Sequence, residues 1–213
     1  LGLLRRAGVD RSTDPRLRSL WYGPIRFCYP DGSFPVINDS DPGDIGRHAG
    51  SYAWAAGYFA DPALQPFAAG REQALPVLAA LTSTNLTGVG LAILRNDSRE
   101  NPVCVTLDYG PHGSHHGHPD KLNVTVWAQG GERVRGPGRI SYSVPEYTRW
   151  CHTTVAHNTV VIDGRTQVPT AGRCLEFAPS ASGGVVRAEC DAASRHASGA
   201  DAATGRRGAH GLL

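Results

Sequence analysis

Apolar positions recur in two rhythms along this chain of 213 residues, and the change of rhythm divides it. In the first part the spacing is helical. Asp14-Pro15 reads as an N-cap followed by proline at the first helical position, leading into RLRSLWY, and Gly23-Pro24 closes that run. Within RHAGSYAWAAGYFA, residues 47–60, Tyr52, Ala55, Ala56 and Phe59 fall on one helical face. Asp61-Pro62 opens another short helix, and QALPVLAAL predicts a last one, interrupted by Pro76. Between these lies FCYPDGSFPVINDSDPGDI, too dense in proline, glycine and aspartate for a regular element.

Near Gly88 the period shortens to that of strands. VGLAIL and VCVTLDY are short apolar runs separated by the turn-like RNDSRENP. KLNVTVWAQGG alternates strictly, with Leu122, Val124 and Val126 on one face and Lys121, Asn123, Thr125 and Trp127 on the other, which predicts a half-buried strand. TTVAHNTVVIDG repeats the logic and ends in Asp163-Gly164, a turn pair. Short strands at such spacing predict an antiparallel β-sandwich. The final stretch, from Asp191 on, is Ala/Gly-rich and aperiodic, and predicts an unstructured tail. The expected organisation is a helical region over 1–84, a sandwich over 85–190 and a tail over 191–213.

Composition narrows the function classes. With 40% hydrophobic and 19% charged residues the chain can bury a core, and its net charge of +2 is scattered, without the basic face that nucleic-acid binding needs. No apolar run reaches the ~18 residues of a membrane span, and the opening LGLLRRAGVDR has too short an apolar part for a signal peptide. Five dispersed cysteines without a CxxC pair make neither a disulfide framework nor a cysteine-zinc site. HExxH, GxSxG and Walker patterns do not occur. Asp39, Asp41 and Asp44 could mimic a calcium loop, but DSDPGD lacks the closing glutamate and reads as a solvated turn.

The chemistry gathers in GPHGSHHGHPDKL, which holds four of the nine histidines: His112, His115, His116 and His118. If the strand extends back from Leu122, His116, His118 and Asp120 share its inward face. Two imidazoles so placed could share a metal, or divide metal binding from proton transfer, although zinc would usually want at least three protein ligands. His157, in VAHNTVV, shares parity with Val155 and Val161. Taken alone it reads as a core histidine bonded to a carbonyl, and paired with His118 across a sandwich it reads equally as a metal ligand. His112 and His115 read as solvated loop residues. His48, His152, His196 and His210 have no neighbours in the sequence that suggest chemistry.

Three stretches in order, LDYGPHGSHHGHPDKLNVTVWAQG, GPGRISYSVPEYTRW and TVAHNTVVIDGRTQ, closely resemble the C-terminal sandwich of the heparinase II/III-like polysaccharide lyases, a group that includes oligoalginate lyases. YPDGSFPVINDSDPGDI resembles the end of that family's incomplete (α/α) toroid, and the likeness spans about residues 20–175. It implies an α+β chain: the last part of a toroid followed by an antiparallel sandwich, cut at both ends. It also implies β-elimination on a uronic-acid polysaccharide or oligosaccharide of alginate or heparin/heparan type, acting in the periplasm, cell envelope or medium. An acidic polysaccharide is then the partner, with no nucleic acid and no membrane.

Carried over position by position, the resemblance implies a catalytic role for His116, the first histidine of HGH. It implies structural zinc ligands at His118 and at His157 of the AHNTV motif. Tyr142 resembles a tyrosine lining the cleft, with Arg139 nearby as a second substrate contact. Two departures stand out. Gly136 of GPGR occupies the position where relatives carry the aspartate that completes the zinc site. The family's proton-transferring tyrosine and carboxylate-neutralising asparagine/histidine pair come from the toroid upstream, so this chain by itself is expected to be inactive. A non-catalytic carbohydrate-binding or structural sandwich module is the alternative reading. A metal-dependent hydrolase is a third, recommended only by the clustered histidines.

Overall fold

The computed structural model describes residues 6–191 and 209–212. The described residues form two compact units, one of 6–34 and 43–81, the other of 35–42, 82–191 and 209–212.

The first unit is helical. Asp14 caps α1 (Pro15–Ser19), its carboxylate accepting from the Arg16 N–H at 3.0 Å. Gly23-Pro24 does not end this run as expected. Both residues lie in the first turn of α2 (Tyr22–Phe27), where a proline has no helical hydrogen bond to lose. A 3₁₀ turn, Ile45–His48, leads into α3 (Ala49–Tyr58), and Asp61 caps a second 3₁₀ turn, Pro62–Leu64, before α4 (Gln65–Ala68) and α5 (Arg71–Leu78), which contains Pro76. Tyr52, Ala55 and Ala56, read from their spacing, are buried beside Leu64, Phe67 and Leu78. The buried Asp61 carboxylate accepts from Arg18 Nε and the Tyr22 hydroxyl, each at 2.6 Å. Burial pushes its pKa up, but these bonds outweigh it and hold the group below its ordinary value.

The second unit is an antiparallel β-sandwich. One sheet runs in the order β1 (Thr84–Leu86), β2 (Leu91–Arg95), β3 (Val103–Asp108), β4 (Asn123–Ala128), β5 (Gly131–Val134). The other consists of β6 (Arg173–Ser180), β7 (Gly183–Cys190) and β8 (Ala209–Leu212). Ala92, Leu94, Leu107 and Leu122 of the first sheet and its ends pack against Val186, Ala188 and Cys190 of the second, and this is the sandwich core. Asp163 (φ 53) and Gly164 (φ 65) turn the chain tightly between the bridged Ile162 and Arg165, as their pairing predicts.

Three strand expectations are corrected. The polar face of β4 is not solvated: Asn123, Thr125 and Trp127 are buried, while Val124 and Val126 are only half-buried. The register explains it, since Cys104, Thr106 and Asp108 of β3 stand opposite Trp127, Thr125 and Asn123, and Thr106 and Thr125 join their hydroxyls at 2.6 Å. β4 does not extend back through the histidines, because Leu122 has φ 67 and Ser114–His116 is a 3₁₀ turn, so the parity argument for His116, His118 and Asp120 fails. Nor is TTVAHNTVV a strand. Thr154–Ala156 is a 3₁₀ turn and Val155 points outward. Residues 192–208 and 213 of the expected tail lie outside the described residues, while 209–212 pair with β7 instead of being unstructured.

Candidate functional site

Segment 35–42, part of the sandwich unit, brings the site together. It is pinned on one side by Gly136 N–H donating to the Val36 carbonyl and Arg139 N–H to the Ser40 carbonyl, and on the other by Asp39 N–H donating to the His116 carbonyl at 3.1 Å. Gly138 permits this approach: its φ is +62, and a Cβ there would stand 2.6 Å from Val36 Cγ1. Asn38, itself at φ 51, accepts from the His118 N–H at 2.9 Å.

The histidine tract is folded by a second close approach. A Cβ at Gly117 would lie 1.5 Å from the His112 carbonyl oxygen, so only glycine allows His116 and His118 to diverge from one tight turn. They diverge sharply. The His116 side chain is 74% exposed, whereas His118 is fully buried.

His116 Nδ1 lies 2.8 Å from Asp39 Oδ2. The same oxygen accepts the Tyr142 hydroxyl at 2.6 Å and, more weakly, the Tyr147 hydroxyl at 3.4 Å. Burial raises the Asp39 pKa, but the bonds from Tyr142 and His116 outweigh it, so the group is a carboxylate below its usual range. A carboxylate only accepts; hence Nδ1 of His116 carries the proton and Nε2 faces outward with its lone pair when the ring is neutral. Arg139 is exposed, ion-paired with Asp41 and 5.8 Å above the Tyr142 ring. His116, Tyr142 and Arg139, three of the residues singled out in the sequence, therefore do converge on one open face. Asp39, read as a solvated turn, joins two of them from below.

His118 and His157 also meet. His118 Nδ1 stands 3.0 Å from His157 Nε2, and His157 Nδ1 is 2.9 Å from the Thr153 carbonyl. That carbonyl requires the proton on His157 Nδ1, so His157 Nε2 is the acceptor and His118 Nδ1 the donor. Burial, then the neighbouring His157 and His152, push the His118 pKa down to about 4, and the ring is neutral. The His118 ring also touches His152, which in turn packs on Tyr147. No sequence spacing marks His152 as a neighbour, because Tyr147–Cys151 is an irregular π-type turn.

Whether this pair suits zinc depends on the third donor. A Cβ at Gly136 would lie 3.9 Å from His157 Cδ2, so the position adjoins the pair, but glycine brings no donor. Among the described residues no group of three His, Cys, Asp or Glu side chains is arranged to hold a metal. The residues present do not fit a closed structural zinc site.

Beneath the tract lies a buried charge cluster. Lys121, 1% exposed, reaches Asp108 Oδ2 at 2.9 Å and Asp120 Oδ1 at 3.4 Å, an ion pair rather than a well-formed hydrogen bond. Burial pushes Asp120 up to about 7, while the two carboxylates outweigh the burial of Lys121 and keep its ammonium charged. Gln167 and Thr159 hold the Lys121 backbone, tying the start of β4 to the loop beyond His157.

Comparison with known proteins agrees with this architecture. The family described as Heparinase II/III-like, C-terminal, matches residues 81–209. A heparin-sulfate lyase of Pedobacter heparinus is 25% identical over 155 residues, 70% of this chain and 23% of that protein. Among solved structures, heparan sulfate lyase HepC from Pedobacter heparinus superposes with TM-score 0.71 at 20% identity, covering 90% of this chain and 31% of that one. A heparinase III gene product does so with TM-score 0.67 at 21% identity, covering 82% and 27%. The chain thus spans about a quarter to a third of the length of these relatives.

Proposed function

The chain belongs to the heparinase II/III-like family through its C-terminal domain, and from that premise we propose that it supplies one wall of a polysaccharide-lyase site that cleaves uronate-containing chains by β-elimination. The observation that carries the reading is the convergence of an exposed imidazole with a defined tautomer, a phenol and a guanidinium on one open face. In the reaction the C5 proton leaves to a base, its electron pair forms the C4–C5 double bond, and the C4–O bond breaks to release the neighbouring sugar, whose oxygen takes a proton. The C5 proton is only weakly acidic, so the sugar carboxylate must be held by donors as charge builds on it.

His116 Nε2 is suited to the proton transfer, since its lone pair faces solvent while Nδ1 is anchored. Arg139 is suited to the carboxylate. Its guanidinium is exposed and already holds one exposed carboxylate, Asp41, through two nitrogens, the same fork that a sugar carboxylate would engage in exchange. Tyr142 offers the remaining contact. The relatives are named as lyases of heparin sulfate and heparan sulfate, which makes an acidic polysaccharide the favoured class. No step here passes through zinc. From the resemblance we also propose that the chain acts in the periplasm, the cell envelope or the medium.

The reading is tested on this chain by titrating heparan sulfate and alginate oligosaccharides into protein carrying ¹⁵N-histidine and ¹³C-tyrosine. Saturable shifts at His116 and Tyr142, with the buried His118 and His157 unmoved, are expected. Binding elsewhere, or none, removes the reading.

A further inference from the structure

We propose that Asp39 is the positioning residue of this site, one buried carboxylate that sets the tautomer of His116 and the direction of the Tyr142 hydroxyl together. The inference rests on the lyase reading for its purpose, but its geometry stands without it.

Asp39 and its partners differ in exposure in a way that matters. The Asp39 side chain is fully buried, while His116 is 74% exposed and Tyr142 53%. An exposed histidine paired with an exposed carboxylate would exchange freely with water; one anchored to a buried carboxylate does not, because the carboxylate has no solvent to fall back on. Both exposed groups donate to the same atom, Oδ2, at 2.8 and 2.6 Å, and they stand 3.5 Å from each other. Neither can turn without leaving Oδ2 short of a donor. The arrangement is held at the backbone as well, by the Asp39 N–H on the His116 carbonyl and by Asn38 on the next histidine of the tract.

Two consequences follow for chemistry. With its proton fixed on Nδ1, His116 presents Nε2 as an acceptor toward a bound sugar, the orientation a base needs. Tyr142 donates its hydroxyl hydrogen bond to Asp39 in the free protein, which fixes the direction of the hydroxyl, and that bond raises its pKa. The groups facing Tyr142 are Asp39, Arg139, Tyr147 and His116, and of these Asp39 carries the buried negative charge.

The test compares wild type with Asp39→Ala and with Asp39→Asn, which keeps the shape and removes the charge. In wild type, ¹⁵N shifts of His116 above neutral pH should report the Nδ1–H tautomer, and the Asp39→Ala variant should lose that preference. In both variants the Tyr142 phenol, identified by its absence in Tyr142→Phe, should ionise nearer the ordinary value of 10.0. Heparan sulfate and alginate oligosaccharides should bind several-fold more weakly to both. An Nε2–H tautomer in wild type, or an unchanged Tyr142 ionisation in a folded Asp39→Asn, would overturn the proposal. If wild type binds neither oligosaccharide, the lyase reading falls while the tautomer result still decides the role of Asp39.

Discussion

Replacing Lys121 by methionine removes one cation from a site that water does not reach. The Lys121–Asp108 contact of 2.9 Å corresponds to a gross attraction of about 6 kcal/mol at an effective dielectric near 20. That figure is not the net effect, since both ions were desolvated to make the pair. Removing one partner leaves the other charge buried and uncompensated, which costs about 3–5 kcal/mol. Asp108 keeps the Gly110 N–H at 3.0 Å and the Asn38 amide at 3.4 Å, so the lower half of that range is expected. Urea unfolding followed by tryptophan fluorescence measures it, and Trp127, 4% exposed in the same sheet, reports the transition. Losing the cation removes the attraction that holds the Asp120 pKa down against burial, so the variant's deficit should shrink as pH falls and Asp120 takes up a proton. Lys121→Met combined with Asp108→Asn should recover part of the loss. A deficit below 1 kcal/mol, or strict additivity of the two changes, would refute the idea that this cluster is a coupled buried pair.

Other expectations follow from single contacts. Asp39 and Asp61 both have folded pKa values below 3.8, so the stability they contribute is present above about pH 4 and lost as pH falls through their folded values; Asp61→Asn should flatten that acid limb in an unfolding series. Gly117→Ala places a Cβ 1.5 Å from the His112 carbonyl, and should cost ~1–3 kcal/mol in unfolding and abolish the His116 shifts on oligosaccharide addition. Gly136→Asp brings a carboxylate beside the His118–His157 pair and should tighten zinc binding about tenfold or more in chelator competition; unchanged affinity would show that the pair is not a metal site.

The sequence carried some of this further than the rest, and the difference is physical. Helix caps and tight turns depend on a few adjacent residues, so Asp14, Asp61 and the Asp163-Gly164 turn were legible. Gly23-Pro24 misled because proline both ends helices and starts them, and packing decides which. Alternation located β4 but reversed its exposure, since Thr125 and Asn123 are buried by cross-strand partners that no local pattern reveals. His116, Tyr142 and Arg139 were reached through motif resemblance. Asp39 was not, because it lies 77 residues from His116 in a stretch that reads as a solvated turn. Its partners appear only once segment 35–42 is laid between the histidine tract and the GPGR loop. His152 was missed for the same reason: its neighbours His118 and Tyr147 are brought to it by irregular turns.

The central claim is that His116 moves a proton in an elimination, and the most direct measurement is product analysis with the rest of the site in place. In the Pedobacter heparinus heparan sulfate lyase these residues would replace the 31% of that chain on which they superpose, the hybrid would be given heparan sulfate oligosaccharides, and the products would be weighed. An unsaturated uronate end with no added water is expected for the parent, and its loss in His116→Ala. Saturated products that have gained water, or unsaturated product formed equally well without His116, would contradict the account.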